Sequence, residues 1–245
     1  GFLRASTESD KAFLWVVELA TGQSEVVEVP EPIFFFHAIS ATDHSDGTYS
    51  SLRLVAKSDS SLLIGENQFL RMDQVVTPIG RNQAAKQGTV VEIRTDGKSE
   101  ATVQWFTLDK IVGFDLPTHR YSRVFNGDGP WKSFRHPRFV YGVASFCGSD
   151  YFDQWCIVKV DTMGTTPTGR TPTLIHREYS HYSSEPIFVA DPDGSMEDDG
   201  VLLSHVYDGV QRESFLLVLN AQTLQPIAKA YTGTRNTVDF HGAFF

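Results

Sequence analysis

The chain has 245 residues, 41% of them hydrophobic and 21% charged, the balance of an ordinary soluble globular protein. Its formal net charge of -9 argues against nucleic acid as a partner. No apolar run is long enough to span a bilayer, no stretch reads as a signal peptide, and no Asn-x-Ser/Thr acceptor occurs.

In chain order the dominant signal is short apolar or alternating segments separated by turn residues. Ala12 to Leu19 and Ser24 to Val29 read as strands around the turn Ala20-Thr21-Gly22-Gln23. Pro30 and Pro32 then lead into Phe34-Phe35-Phe36-His37, and polar turn formers begin soon after, at Ser40, Thr42 and Asp43. This predicts a buried strand that ends in a histidine, a place where an imidazole is held rigidly enough to ligate a metal. Thr48 to Ala56 alternates again. Ser58 to Lys86 has no clear period and reads as a short helix or an insertion over the sheet.

Thr89 to Arg94 and Ala101 to Leu108 flank Asp96-Gly97, a hairpin turn signal. Phe114-Asp115-Leu116-Pro117 and a Gly-rich loop at Asn126 to Pro130 follow. Strands are predicted at Phe139 to Phe146, Trp155 to Val160, Ile187 to Ala190, Val201 to Tyr207, Ser214 to Leu219 and Ile227 to Tyr231. With turns about every 8–12 residues and no convincing helix, the pattern is all-β, and both a sandwich and a propeller fit it. The acidic stretch Asp191 to Asp199 lacks the spacing of a calcium loop and reads as a solvated turn. Cys147 and Cys156 form no CxxC pair; they are expected to be reduced core thiols of an intracellular protein, with the two ends of one hairpin as the other reading.

Several of these segments carry more than a secondary-structure signal. Phe36-His37-Ala38-Ile39-Ser40-Ala41-Thr42-Asp43 resembles the FHxxNAxE motif of the carotenoid cleavage oxygenases. Phe114-Asp115-Leu116-Pro117 resembles their (F)E(F/L)P segment, Ser184 to Val189 their SEPxFV motif, and Glu197 to Ser204 their EDDGVxLS motif. Phe215 to Ala221 is similar to the FLLVLDA strand that follows, and Phe240-His241-Gly242 to the closing FHGxF. The order of the segments is also that of the family.

The resemblance implies a seven-bladed β-propeller, of which residues 1–245 form a single domain corresponding to the C-terminal portion, roughly the last three or four blades. It implies one Fe(II) held by four histidines on the propeller axis, with O2 as co-substrate. The implied reaction is cleavage of a conjugated C=C bond in a carotenoid, apocarotenoid or stilbene-like substrate, giving two carbonyl products. His37 and His241 correspond to the third and fourth metal ligands. Glu185 and Asp115 correspond to carboxylates that accept the other ring N–H of ligand histidines, Glu185 behind His241 and Asp115 behind His37. The Phe-rich composition, 18 Phe in all, suits an apolar tunnel as well as a core.

The sequence departs from the family pattern in two ways. Asp115 stands where a Glu is usual, so the bond to His37 requires a shifted backbone or is lost; Ser40 and Asp43 replace the motif's Asn and Glu. No histidine precedes His37, so the first two ligands are expected from a missing N-terminal half of the same protein. His44, His119, His136, His176, His181 and His205 carry no family motif and are read as loop, surface or core histidines. The alternatives are a non-catalytic propeller that binds an apolar ligand, and a retinoid isomerase-like activity on the same four histidines. An intracellular, cytoplasmic location with peripheral membrane contact left open completes the expectation.

Overall fold

The computed structural model describes residues 11–43, 49–57, 88–97, 101–120, 136–147, 155–236 and 241–244. The segments read as an insertion at Ser58 to Lys86 and as a Gly-rich loop at Asn126 to Pro130, together with His44, lie outside the described residues.

The described chain is all β, with fifteen strands in four antiparallel sheets taken up in sequence order. The first sheet pairs β1 (Ala12–Val17) with β2 (Ser24–Val29). The second is a meander of β3 (Phe34–Asp43), β4 (Ser50–Lys57), β5 (Thr89–Thr95) and β6 (Thr102–Trp105). The third repeats that layout with β7 (Val112–Thr118), β8 (Phe139–Phe146), β9 (Cys156–Asp161) and β10 (Thr173–His176). In the fourth, β11 (His181–Ser183) and β12 (Ile187–Ala190) both pair with β13 (Gly200–Asp208), and β14 (Glu213–Asn220) and β15 (Pro226–Tyr231) follow. Successive four-stranded meanders of this kind are the unit of a propeller.

Alternation along the strands explains how the sheets stack, because successive residues of a strand face opposite sides. In β4, Leu54 and Ala56 join Val91 and Ile93 against Val27 and Val29, filling the space between the first and second sheets. From the other faces of the same strands, Val55 and Val90 meet Phe114, Val140, Ala144 and Val158, between the second and third sheets. Tyr141 and Ile157, on the far face of the third sheet, meet Leu202, Val206, Phe215 and Leu217 of the fourth. The second and third sheets are thus buried on both faces and the first and fourth on one, with Trp15 and Ile227 on the exposed outer faces. Burying a residue such as Phe114 or Phe215 contributes about 1.5–3 kcal/mol.

Polar groups tie the same joints. Arg53, buried on β4, donates to Glu92 Oε2 at 2.7 Å, to Thr162 Oγ1 at 2.8 Å and to the Pro137 carbonyl at 3.2 Å. The acidic segment before β13 does the equivalent work at the next joint. Glu197 Oε1 accepts the Phe139 N–H at 2.9 Å, and Asp198 takes Lys159 Nζ at 2.6 Å in a buried pair. The sequence reading of this stretch as a solvated turn is therefore corrected: two of its carboxylates fasten the third sheet to the fourth. Gly200 closes the segment because a Cβ there would lie 2.3 Å from the Val189 carbonyl oxygen.

A second correction concerns the cysteines. Cys147 and Cys156 are joined by a disulfide across the β8–β9 connection, with Cα atoms 6.4 Å apart, so the expectation of two reduced thiols does not hold in this structure. Among the described residues no helix is long and apolar enough to cross a membrane.

Candidate functional site

The first strand of each of the last three sheets is irregular, and each irregularity falls at a residue singled out in the sequence. In β3 the pairing with β4 runs Phe35↔Ala56, His37↔Val55, Ala38↔Leu54, Ser40↔Arg53, so Phe36 and Ile39 are extra residues without partners. These are two β-bulges flanking His37-Ala38. In β7 the register slips between Asp115↔Val143 and Thr118↔Tyr141, and Leu116 has φ 52°. In the fourth sheet, Ser183 opposes Val206 and Ile187 opposes Leu203, so β11 and β12 form one interrupted strand with its break at Ser184-Glu185-Pro186.

The bulges in β3 decide which way His37 faces. In an unbroken ladder from Phe35↔Ala56, His37 would oppose Leu54, whose side chain packs toward the first sheet. The extra residue Phe36 moves His37 opposite Val55 instead, on the face that meets Phe114 and the third sheet. His37 is therefore the fourth residue of a ten-residue strand, not its last, which corrects the prediction that the strand ends there.

From this face His37 Nδ1 meets Asp115 Oδ1 at 2.7 Å. A carboxylate oxygen only accepts, so Nδ1 carries the proton and Nε2 is left as the basic nitrogen. The same Oδ1 accepts the backbone N–H of Leu116 at 2.8 Å. Asp115 therefore does reach, and the shifted backbone expected for a shorter side chain is visible as the slip in β7 and the left-handed Leu116. A conformation of that kind costs a non-glycine residue about 1–2 kcal/mol.

His241 is held in a similar way. Its Nδ1 lies 3.3 Å from Glu185 Oε2, which also accepts the Gly242 N–H at 3.1 Å. The His37 and His241 rings come together edge to face, with centroids 5.2 Å apart and planes at 70°. Histidines from opposite ends of the sequence thus share one site, each with Nδ1 on a carboxylate. Among the described residues no group of three or more His, Cys, Asp or Glu is placed to hold a metal ion.

The other histidines have other surroundings. His136 lies in a ring of hydroxyls, with Nδ1 2.7 Å from Ser40 Oγ and Nε2 2.6 Å from Ser51 Oγ. Burial, then the nearby Arg53 guanidinium, push its pKa from 6.5 down to about 4. Ser40, the replacement for the motif's Asn, is thereby engaged, and Asp43 accepts from Ser50 Oγ at 2.6 Å. His119 faces two carbonyl oxygens. His181 sits between Glu178 and Asp208 at 3.5 Å from each, and burial lowers the pKa of His176. His205 lies on β13 opposite Leu216.

The sequence was compared with known proteins on this background. The family model described as retinal pigment epithelial membrane protein (RPE65) matches residues 5–245. The chain belongs to the RPE65 family. Two relatives are named for carotenoid oxygenation. The mitochondrial carotenoid-cleaving dioxygenase of Mustela putorius furo is 38% identical over 138 residues, which cover 56% of this chain and 22% of that protein. A carotenoid dioxygenase of Neurospora crassa is 28% identical over 231 residues, covering 86% of this chain and 36% of the relative. Among solved structures, cobalt-substituted Synechocystis apocarotenoid oxygenase (ACO) superposes with a TM-score of 0.70 at 20% identity, over 97% of this chain and 44% of that one. An ACO/RPE65 chimera superposes with a TM-score of 0.67 over 95% of this chain and 44% of the chimera. The chain therefore spans less than half the length of these relatives, and it shares the fold of the two solved structures over 97% and 95% of its own length.

Proposed function

We propose that this chain supplies part of the metal centre and substrate cavity of a non-haem Fe(II) dioxygenase that cleaves a conjugated C=C bond of an apolar polyene. The observation that carries the reading is the meeting of His37 and His241, each with its Nδ1 proton on a carboxylate. Two neutral imidazoles with basic Nε2 atoms suit a redox-active divalent iron, and the carboxylates fix the tautomer that ligation needs. In this reading His37 and His241 are iron ligands, and Asp115 and Glu185 orient them. The remaining two histidines come from outside residues 1–245 in the full-length protein. The fold extends to a closed seven-bladed propeller, with residues 1–245 as one domain-sized portion of it.

Bound iron would supply the redox chemistry by which O2 and the alkene become two carbonyl products. The protein's own part is to hold the imidazoles, exclude water and present the substrate. The names of the relatives favour a carotenoid or apocarotenoid over a stilbene. The departures at Asp115, Ser40 and Asp43 were the grounds for a non-catalytic relative; each has a partner here, so that alternative is not favoured. A retinoid isomerase would use the same histidines, and product analysis separates the two.

The test uses the full-length protein reconstituted with Fe(II) and given a carotenoid or apocarotenoid in the presence of O2. Two carbonyl products, each carrying one atom of labelled oxygen, are expected. Absence of cleavage with iron bound would favour isomerisation or ligand binding. Mass spectrometry after thiol alkylation of the natural protein reports whether Cys147 and Cys156 are bonded in its own compartment, and so tests the proposed intracellular location.

A further inference from the structure

The second bulge of β3 presents a physical problem. Ile39 has no partner on β4, and its side chain is buried between the second and third sheets. A backbone carbonyl left without a donor in such a place would be costly. His119 Nε2 lies 3.0 Å from the Ile39 oxygen. A carbonyl only accepts, so the imidazole donates, four residues along the chain from the carboxylate that holds His37.

The bulge at Ile39 also serves both its neighbours. The extra residue Phe36 turns His37 toward the third sheet, but on its own it would turn every later residue of the strand over as well. The extra residue Ile39 reverses this, so Ser40 and Thr42 pair with Arg53 and Ser51 and reach His136. Without the second bulge, His37 and the Ser40–Thr42 pair cannot all face the third sheet.

We propose that His119 is a positioning residue for the metal centre: by donating to the Ile39 carbonyl it holds the second bulge of β3, and so holds His37 toward Asp115. Residues 115–119 then grip β3 at two points, the His37 ring through Asp115 and the backbone two residues further on through His119. His119 is not itself a ligand. Its other ring nitrogen lies 3.1 Å from the Arg120 carbonyl; a neutral imidazole has one N–H, which we assign to Nε2, the nitrogen with the shorter contact at 3.0 Å. The hold on β3 stands on geometry alone, whereas its consequence for the metal rests on the function proposed above.

The experiment compares the full-length protein with its His119→Ala and His119→Gln variants by two readouts. The first is deuterium uptake of peptides covering Phe36 to Asp43, set against peptides from β13 and β14. The second is the affinity for Co(II) and the visible spectrum of the bound ion. Loss of one hydrogen bond predicts about fivefold faster exchange in β3 of His119→Ala and about fivefold weaker cobalt binding with an altered spectrum. β13 and β14 are expected to be unchanged, and His119→Gln, which keeps a donor near the Nε2 position, should restore both readouts. Unchanged β3 exchange in His119→Ala, or faster exchange across all sheets alike, would overturn the proposal. So would faster β3 exchange with cobalt affinity and spectrum intact. If the unmutated protein takes up no cobalt, the proposed function is what fails, and the exchange data alone decide whether His119 holds β3.

Discussion

The two histidine arms of the site are built from the same parts and supported differently. His37 sits within a paired strand, its side chain 26% exposed, and its carboxylate partner comes from the adjoining sheet. Among the described residues His241 lies outside the strands, its side chain 61% exposed, and Glu185 meets both its ring and the next backbone N–H. In the first arm the backbone positions the ring and the carboxylate sets its tautomer. In the second the carboxylate does both. The comparison gives the predictions their order.

The largest effect is expected from removing either ring. In the full-length protein, His37→Ala and His241→Ala should each abolish stoichiometric iron binding and oxidative cleavage together, as read by metal analysis and product formation. Full activity in either variant would remove that arm from the metal centre.

Acidification should separate the arms next. Unfolded, His136 titrates near 6.5; folded, it titrates at about 4, because burial and then Arg53 disfavour the charged ring. A depressed folded pKa means the unfolded chain binds the proton first. The stabilisation is complete above pH 6.5 and is lost as the pH falls through 4. It amounts to about 3 kcal/mol, which chemical denaturation of the metal-free full-length protein should register over that range. His136→Asn should flatten that slope. The hydroxyls around His136 belong to β3 and β4, so the acid-sensitive joint lies on the strands that carry and pair with His37.

The carboxylates themselves come third. Losing a partner behind a ligand histidine typically costs about 10–100-fold in metal affinity. Glu185→Gln is expected near the upper end of that range because Glu185 holds both the His241 ring and the Gly242 N–H. Asp115→Asn is expected near the lower end because β3 still places His37. Isothermal titration with Co(II) measures both, and equal losses would show that strand placement adds nothing to the first arm.

How much of this was legible in the sequence follows the same division. Strand positions such as Ser24–Val29, Phe139–Phe146 and Ile187–Ala190 are set by local alternation and turns, and the structure has them at the predicted bounds. The pairing of His37 with Asp115 and of His241 with Glu185 came from motif resemblance and agrees with the distances found. What could not be read was the pairing register. Bulges at Phe36 and Ile39 are defined by partners on another strand, so the polar residues after His37 were taken for a turn when they continue β3. β10 and β11 went unpredicted because Thr173–His176 and His181–Ser183 are too short to show a period. Glu197 and Asp198 looked like a solvated turn because their partners, Phe139 and Lys159, lie on a different sheet.

The smallest effect, and the sharpest test of the first arm, is Asp115→Glu, which restores the residue the family motif carries. If only reach mattered, the longer side chain would strengthen the bond to His37. The geometry argues otherwise. Asp115 Oδ1 accepts the N–H of Leu116 as well as that of the His37 ring, and this local bond accompanies the left-handed Leu116 and the slipped register of β7. A glutamate carboxylate stands one methylene further out and loses the bond to the next residue's N–H. The expected result is cobalt affinity about fivefold weaker, equivalent to one lost hydrogen bond. Affinity above wild type would mean that β7 relaxes to a regular strand once the longer side chain is present, and that the slip is a consequence of the aspartate. Weaker binding would mean that backbone and side chain in β7 are matched to each other, with the aspartate as fitted to this strand as the glutamate is to the family's.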